Sequence, residues 1–211
     1  MRVDLINLDR SPERLRTFRH TNSHINFVRF SALDGATLGC DAIQACARSH
    51  LTLWREAISA GEPLTICEDD AIFSHSFAAD AERILAVLPT GWDIILWGWN
   101  YDTTLHFYMG PPSFPSPCSV QFDEDQLRLT ADQFRHSAMG SRPFRLTGAY
   151  GTVCYTISPH GAKKLLEHCA PLLAPLDIML NEVYARMNSF VSFPPLVITK
   201  NEHACSTVQP D

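Results

Sequence analysis

The octapeptide ICEDDAIF, residues 66–73, sets three consecutive carboxylates, Glu68, Asp69 and Asp70, between two apolar runs. Carboxylates this close repel, so each raises the pKa of the others or draws in a cation. Their oxygens suit a hard divalent ion such as Mn2+ or Mg2+. Spacing alone leaves two readings open. One is a cation site; the other is a solvated acidic turn in which Asp69 and Asp70 complement the start of the next helix. The choice depends on the elements that position the cluster.

Those elements alternate. Val3, Leu5, Ile6 and Leu8 form a strand, and DRSPERLRTFRH follows it as a helix, with Ser11 as N-cap, Pro12 at the first helical position and Glu13 in the first turn. INFVRFSAL is a second strand, ending at the turn pair Asp34-Gly35. From Asp41 to Ala60 the residues Ile43, Cys46, Ala47, His50, Trp54, Ala57 and Ile58 recur at helical spacing, and Gly61 is placed to stop the helix. PLTIC is a strand that runs straight into Glu68, FAADAERILAVL is a helix, and WDIILW is a fourth strand. This alternation predicts an α/β fold, Rossmann-like, with a mainly parallel sheet flanked by helices. Ligands of such sheets sit outside the carboxyl ends of the strands, where Glu68 to Asp70 fall.

Beyond Asn100 the proline-rich run MGPPSFPSPCS, and the weak periodicity up to about residue 145, predict an irregular insertion. GTVCYTIS then reads as a strand feeding a helix with Ser158 as N-cap and Pro159 at its start, PLDIMLNEVYARM opens a helix near Asp177, and FPPLVITKNEHACSTVQPD reads as one strand and an irregular end. The expected organisation is a single domain over 1–211, with a nucleotide-binding half at 1–100 and an acceptor-side half at 101–211.

Composition excludes several classes. With 211 residues and 45% hydrophobic content the chain builds its own core, and a net charge of -6 opposes a broad nucleic-acid surface. Seven cysteines without a CxxC pair fit a reducing compartment better than a disulfide framework. No segment carries the roughly 18 uncharged apolar residues of a membrane span. The expectation is a soluble cytoplasmic protein, with peripheral contact at the inner membrane left open.

LINLDRSPERL, ALDG at 32–35, ACARSHLTLW at 45–54, ICEDDAIF, WDIILWG, GTVCYTISPHGAKKLL and PLDIML follow one another in an order that resembles glycosyltransferase family 25, the lipopolysaccharide galactosyltransferases and their collagen-modifying relatives. The resemblance covers most of the chain outside 100–145. It implies a GT-A-like fold, a UDP-sugar donor, most often UDP-galactose, an oligosaccharide or glycolipid acceptor such as lipooligosaccharide or capsule, a manganese-type ion at a DxD-like motif, and inversion at the anomeric carbon. By the same resemblance Asp70 is the first choice as metal ligand, and Glu68 contacts ribose, sugar or metal, with Asp69 completing the motif.

Asn7, Leu8, Asp9 and Arg10 resemble the first-strand edge that receives the uridine, largely through backbone, and Arg14 is placed to reach a phosphate; ordinary solvated helix charge is the other reading of the two arginines. Asp34 binds ribose hydroxyls or simply forms its turn. Ser49 and His50 match a Ser-His pair of the family, although a histidine on an apolar helix face is more often a core group. Asp177 is the candidate base for the acceptor hydroxyl, with helix capping as its alternative. Asp93 reads as structural. His203 is a candidate late-chain metal ligand, in a segment, NEHACSTV, that departs from the family tail. Trp97, Trp99 and Tyr101 either stack on sugar faces or fill the core. Two other functions fit the residues: a noncatalytic UDP-sugar or carbohydrate-binding module, and a magnesium-dependent phosphotransfer protein. The latter needs carboxylates after the first strand, where only Asp9 lies.

Overall fold

The protein is described by a computed structural model covering residues 1–101, 103–110, 113–138 and 140–199, apart from the side chains at 124, 127 and 128. Strand β1 (Val3–Asn7) is buried along its whole length, as a strand covered on both faces must be. Helix α1 (Pro12–Thr21) begins with its proline where a missing amide hydrogen costs nothing, because the first helical amides have no acceptor within the helix. Strand β2 (Phe27–Ser31) leads to α2 (Gly35–Leu38), one turn capped by Asp34, which accepts from Ala36 N at 3.0 Å. Helix α3 (Ala42–Ala60) is capped by Asp41, which accepts from Gln44 N at 2.7 Å, and ends at Gly61 in the left-handed region, φ 70°. Its buried face carries Ala47, His50, Leu51, Trp54 and Ala57, while Ile43 and Ile58 sit at the exposed margin.

Strands β3 (Leu64–Glu68) and β4 (Ala71–Phe73), helix α4 (Phe77–Val87) and strand β5 (Ile94–Gly98) complete the first half. The second contains β6 (Leu105–Met109), β7 (Ser116–Val120), α5 (Glu124–His136), β8 (Arg142–Gly148), β9 (Cys154–Ile157), α6 (Pro159–Cys169), α7 (Leu176–Asn181), a 3-10 turn (Tyr184–Arg186), β10 (Ser189–Phe193) and β11 (Val197–Thr199).

Among the described residues nine strands form one sheet in the order β2-β1-β3-β9-β5-β10-β8-β6-β7, and β11 pairs with β4 separately. The sheet is mixed, which corrects the expectation of a mainly parallel one. Parallel pairing joins β1 to β2, β1 to β3 and β5 to β10, but β9 lies between β3 and β5 and runs against both. A buried apolar run looks the same in either direction, so sequence pattern could not register the reversal. The stretch at 100–145 is also more regular than expected, holding the β6–β7 hairpin, α5 and the start of β8. Its prolines misled because Pro117 lies in β7, the last strand of the sheet, where a missing amide hydrogen is tolerated.

One face of the sheet packs Ile6, Ile66, Leu96 and Tyr155 with Trp54 of α3 and Leu165 of α6; the other packs Leu5, Cys67 and Trp97 with Phe18 and Phe77. Trp97, Trp99 and Tyr101 are all fully buried, so core filling is their role and sugar stacking is excluded for this arrangement. Asp93 is structural, as expected. It accepts from Lys164 Nζ at 2.7 Å and from Asn188 N at 2.8 Å, tying α6 and the approach to β10 to the start of β5.

The first turn of α6 rests on the Asp93 backbone. A Cβ on Gly161 would stand 2.2 Å from the Asp93 carbonyl oxygen and 2.7 Å from its carbon. Backbone cannot yield as a flexible side chain can, so Gly161→Ala should lower unfolding stability by about 1–3 kcal/mol or more, read as a reduced urea midpoint. An unchanged midpoint would show that α6 shifts freely on the sheet.

Candidate functional site

The acidic triplet lies where β1 and β3 end side by side. These strands run parallel with Ile6 opposite Glu68, so Asn7 and the 69–70 turn emerge at the same edge. On the other side of β3, the reversed β9 brings residues 152 and 153 to that edge, and Glu68 N donates to Val153 O at 3.0 Å.

The three carboxylates have different surroundings. Asp69 turns into the protein: it accepts from Arg14 Nε at 2.7 Å and again from Arg14 Nη2, and from Asn7 Nδ2 at 2.7 Å. Asn7 is itself buried, and its Oδ1 accepts from Arg29 Nε at 2.9 Å, while Arg29 also pairs with Asp9. The Asn7 side chain and the Arg14 charge are thus committed to holding Asp69, and α1 is clamped to the β3 end.

Glu68 is half-buried. Its Oε1 accepts from Thr152 Oγ1, and His50 Nε2 stands 3.8 Å from the same oxygen. Enclosure by protein, then the nearby charge of Asp70, push the Glu68 carboxyl up to about 7, with the Thr152 hydrogen bond working the other way. Asp70 is exposed at the rim; it too is pushed up, first by the protein that thins its hydration and further by Asp69, with Arg14 opposing.

His50 lies beneath this rim with no exposed surface. Its Nδ1 is 2.8 Å from the Tyr155 hydroxyl, and burial pushes the imidazole down to about 3, so it is neutral. Of the three carboxylates, Glu68 is the one beside His50. Ser49 is equally enclosed, accepting from Leu33 N at 2.9 Å and donating to Ala45 O at 3.0 Å.

Other predicted positions surround the edge. Arg10 Nε donates to Asp34 Oδ2 at 2.8 Å across the ends of β1 and β2, so these two side chains are paired with each other. Leu8 is half-buried and Asp9 exposed. Asp177 lies in the first turn of α7, where Pro175 rather than Asp177 occupies the cap position, and its Oδ1 accepts from Ile178 N at 2.9 Å. The Cys46 thiol links the two regions: enclosure raises its pKa first, then the charges of Glu68, Asp177, Asp70 and Asp69. His203 lies outside the described residues.

Sequence reasoning missed Thr152, Tyr155 and Trp54 as neighbours of the cluster. All three sat inside quoted motifs, but nothing in the pattern placed β9 beside β3.

The model of glycosyltransferase family 25 (LPS biosynthesis protein) matches residues 40–180, two thirds of the chain. The chain belongs to glycosyltransferase family 25. The match includes Glu68 to Asp70, His50, Thr152 and Asp177, and begins after the Asn7 to Arg14 and Asp34 positions. Membership makes the protein a sugar transferase, with a nucleotide-sugar donor and a glycan acceptor implied. No curated protein matches the chain in sequence. Similar solved structures include A197 from STIV, at 10% identity and TM-score 0.48, covering 93% of this chain and 82% of that one. A mannose-1-phosphate geranyltransferase from Thermus thermophilus shows 11% identity and TM-score 0.42, covering 93% and 58%. A putative glucose-1-phosphate thymidylyltransferase from Bacillus anthracis shows 10% identity and TM-score 0.43, covering 89% and 65%. Among the described residues no helix is long and apolar enough to cross a membrane.

The family 25 cluster has a measurable electrostatic signature. Glu68 sits at about 7 against an ordinary 4.5, so between those values the folded chain holds a proton that the unfolded chain has released. Stability of the ligand-free protein should therefore fall as pH rises from about 4.5 to about 7. Glu68→Gln should flatten that part of the curve in urea titrations at successive pH values. An unaltered slope in the variant would locate the repulsion elsewhere.

Proposed function

We propose that the protein is an inverting, divalent-metal-dependent galactosyltransferase that moves galactose from UDP-galactose to a lipooligosaccharide, capsule or related glycan on a GT-A-like scaffold. The reading rests on family membership and on one observation. In the acidic triplet Asp69 is bound inward by Arg14 and Asn7, which leaves Asp70 and one oxygen of Glu68 at the rim.

Among the described residues no three His, Cys, Asp or Glu side chains form a cluster able to hold an ion. A closed protein cage is therefore not what these residues fit. What they do fit is an ion that takes one or two carboxylates and completes its shell with phosphate oxygens and water, as Mg2+ and Mn2+ do with nucleotides. Asp70 and Glu68 Oε2 would hold it; bound there, it would supply Lewis-acid stabilisation of the charge that grows on departing UDP.

The chain's own residues carry the remaining tasks in this proposal. The ends of β1 and β2, from Asn7 through Arg10 with Asp34, receive uridine and ribose, the Arg10–Asp34 pair opening to do so. Arg14 contributes positive potential while restraining Asp69. Asp177 accepts the proton of the acceptor hydroxyl as that oxygen attacks the anomeric carbon on the side opposite UDP, which is what inversion requires. The β6–β7 hairpin and α5 border the acceptor side, since variable segments on a rigid scaffold commonly set specificity. Membrane contact would place the enzyme beside a glycolipid acceptor.

Two measurements test this. UDP with Mn2+ should raise the melting temperature well beyond either alone, because only ligands bound to the folded state stabilise it. Asp70→Asn should abolish the cooperative part, and a shift of undiminished size in that variant removes Asp70 from the metal site. UDP release from UDP-galactose with a glycan acceptor panel then separates a transferase from a binding module. Asp177→Asn should lower that turnover by about 100-fold or more while leaving the UDP–Mn2+ melting shift in place. Retained turnover clears Asp177 of the base role.

A further inference from the structure

The buried column behind Glu68 has a proton order that its members impose on one another. Trp54 Nε1 donates to the Tyr155 hydroxyl oxygen at 2.8 Å, and an indole can only donate. Tyr155 OH also meets His50 Nδ1 at 2.8 Å, and these are its hydrogen bonds among the described residues. Tyr155 and His50 have no exposed surface, so water cannot complete either group.

Two arrangements are conceivable. If Nδ1 carries the imidazole proton, Tyr155 accepts from both neighbours, its own hydroxyl proton has no acceptor, and a bare Nε2 lone pair faces the Glu68 carboxylate. If Tyr155 donates to Nδ1, the hydroxyl both donates and accepts, and the one proton left unbonded, Nε2–H, faces Glu68 Oε1 at 3.8 Å. The first strands the tyrosine proton with no acceptor in reach, whereas in the second the unbonded Nε2–H is at least aimed at a carboxyl oxygen. Nε2 has no hydrogen-bond partner as it stands, and its separation from Glu68 is a few tenths of an ångström beyond bonding range. Such contacts commonly shorten when a ligand occupies the site.

The geometry points to His50 as a positioning residue: the Trp54–Tyr155 pair locks it as the Nε2–H tautomer, and that proton, together with Thr152 Oγ1–H, holds Glu68 by Oε1. Both groups face the same oxygen, Oε1, which leaves Oε2 with no protein donor among the described residues. His50 thereby acts on a ligand without touching it. The consequence for the donor rests on the proposed UDP-sugar site, whereas the tautomer does not.

Long-range 1H–15N correlation spectra of the full chain, with the His50 signals assigned by their loss in His50→Gln, read the tautomer directly in the absence of ligand. The expected result is an Nε2–H imidazole that stays neutral between pH 5 and 8 and becomes a tautomer mixture in Tyr155→Phe. An Nδ1–H imidazole in the unaltered protein overturns the proposal, and it does so whatever the protein binds. Calorimetric affinity for UDP-galactose with Mn2+ supplies the second readout. His50→Leu should weaken it by about tenfold, the scale of one lost hydrogen bond to a charged group. His50→Gln, whose amide can present a donor near the same place, should recover most of that loss. A folded His50→Leu protein with unchanged affinity overturns the positioning role.

Discussion

Three adjacent carboxylates at the end of one strand cannot all share the same surroundings, and most of the architecture around β3 follows from how the protein separates them. Asp69 turns inward to Arg14 and Asn7, Glu68 lies against Thr152 with His50 below, and Asp70 is left at the rim. Each direction recruits a different element: α1 and β1 for the first, β9 and α3 for the second, solvent and Thr199 of β11 for the third. The Arg14–Asp69 contact therefore does more than neutralise a charge. It fixes the start of α1 against the edge where β1 and β3 end side by side.

Placing β9 between β3 and β5 has a functional consequence. A purely parallel sheet would have set another strand's carboxyl end beside Glu68. The antiparallel insertion instead delivers the entry to β9, with Thr152 at Glu68 and Tyr155 three residues deeper, where it meets His50 and Trp54. One strand thus supplies both a rim donor and the buried support beneath it. The second half of the chain reaches back to this edge through β9 and again through β11, which sets Thr199 opposite Ala71, next to Asp70.

Helix α3 connects the levels of this arrangement. Its deep positions, Leu51, Trp54 and Ala57, are buried among the residues of one sheet face; His50 and Ser49, one turn nearer the edge, carry polar groups into the same enclosed layer. Cys46, another turn along, lies within the fields of both the acidic triplet and Asp177. A helix that reads as simply amphipathic is in this way graded from apolar packing to polar support to the neighbourhood of the acidic triplet.

The strands β1, β2, β3 and β5, the helices α1, α3, α4 and α6, the stop at Gly61 and the cap at Ser158 were legible in the chain itself, because apolar period, capping residues and turn glycines are local properties. So was the acidic triplet as a crowding of charge at the end of a strand, since like charges in succession are conspicuous in any context. Strand direction, the regular β6–β7–α5 segment, the inward turn of Asp69 and the burial of Trp97, Trp99 and Tyr101 were decided only by tertiary structure. The physical reason is that hydrophobic pattern records how deeply a residue is buried but not which neighbour it meets: Glu68 and Thr152 are 84 positions apart in sequence, and only sheet pairing makes them partners.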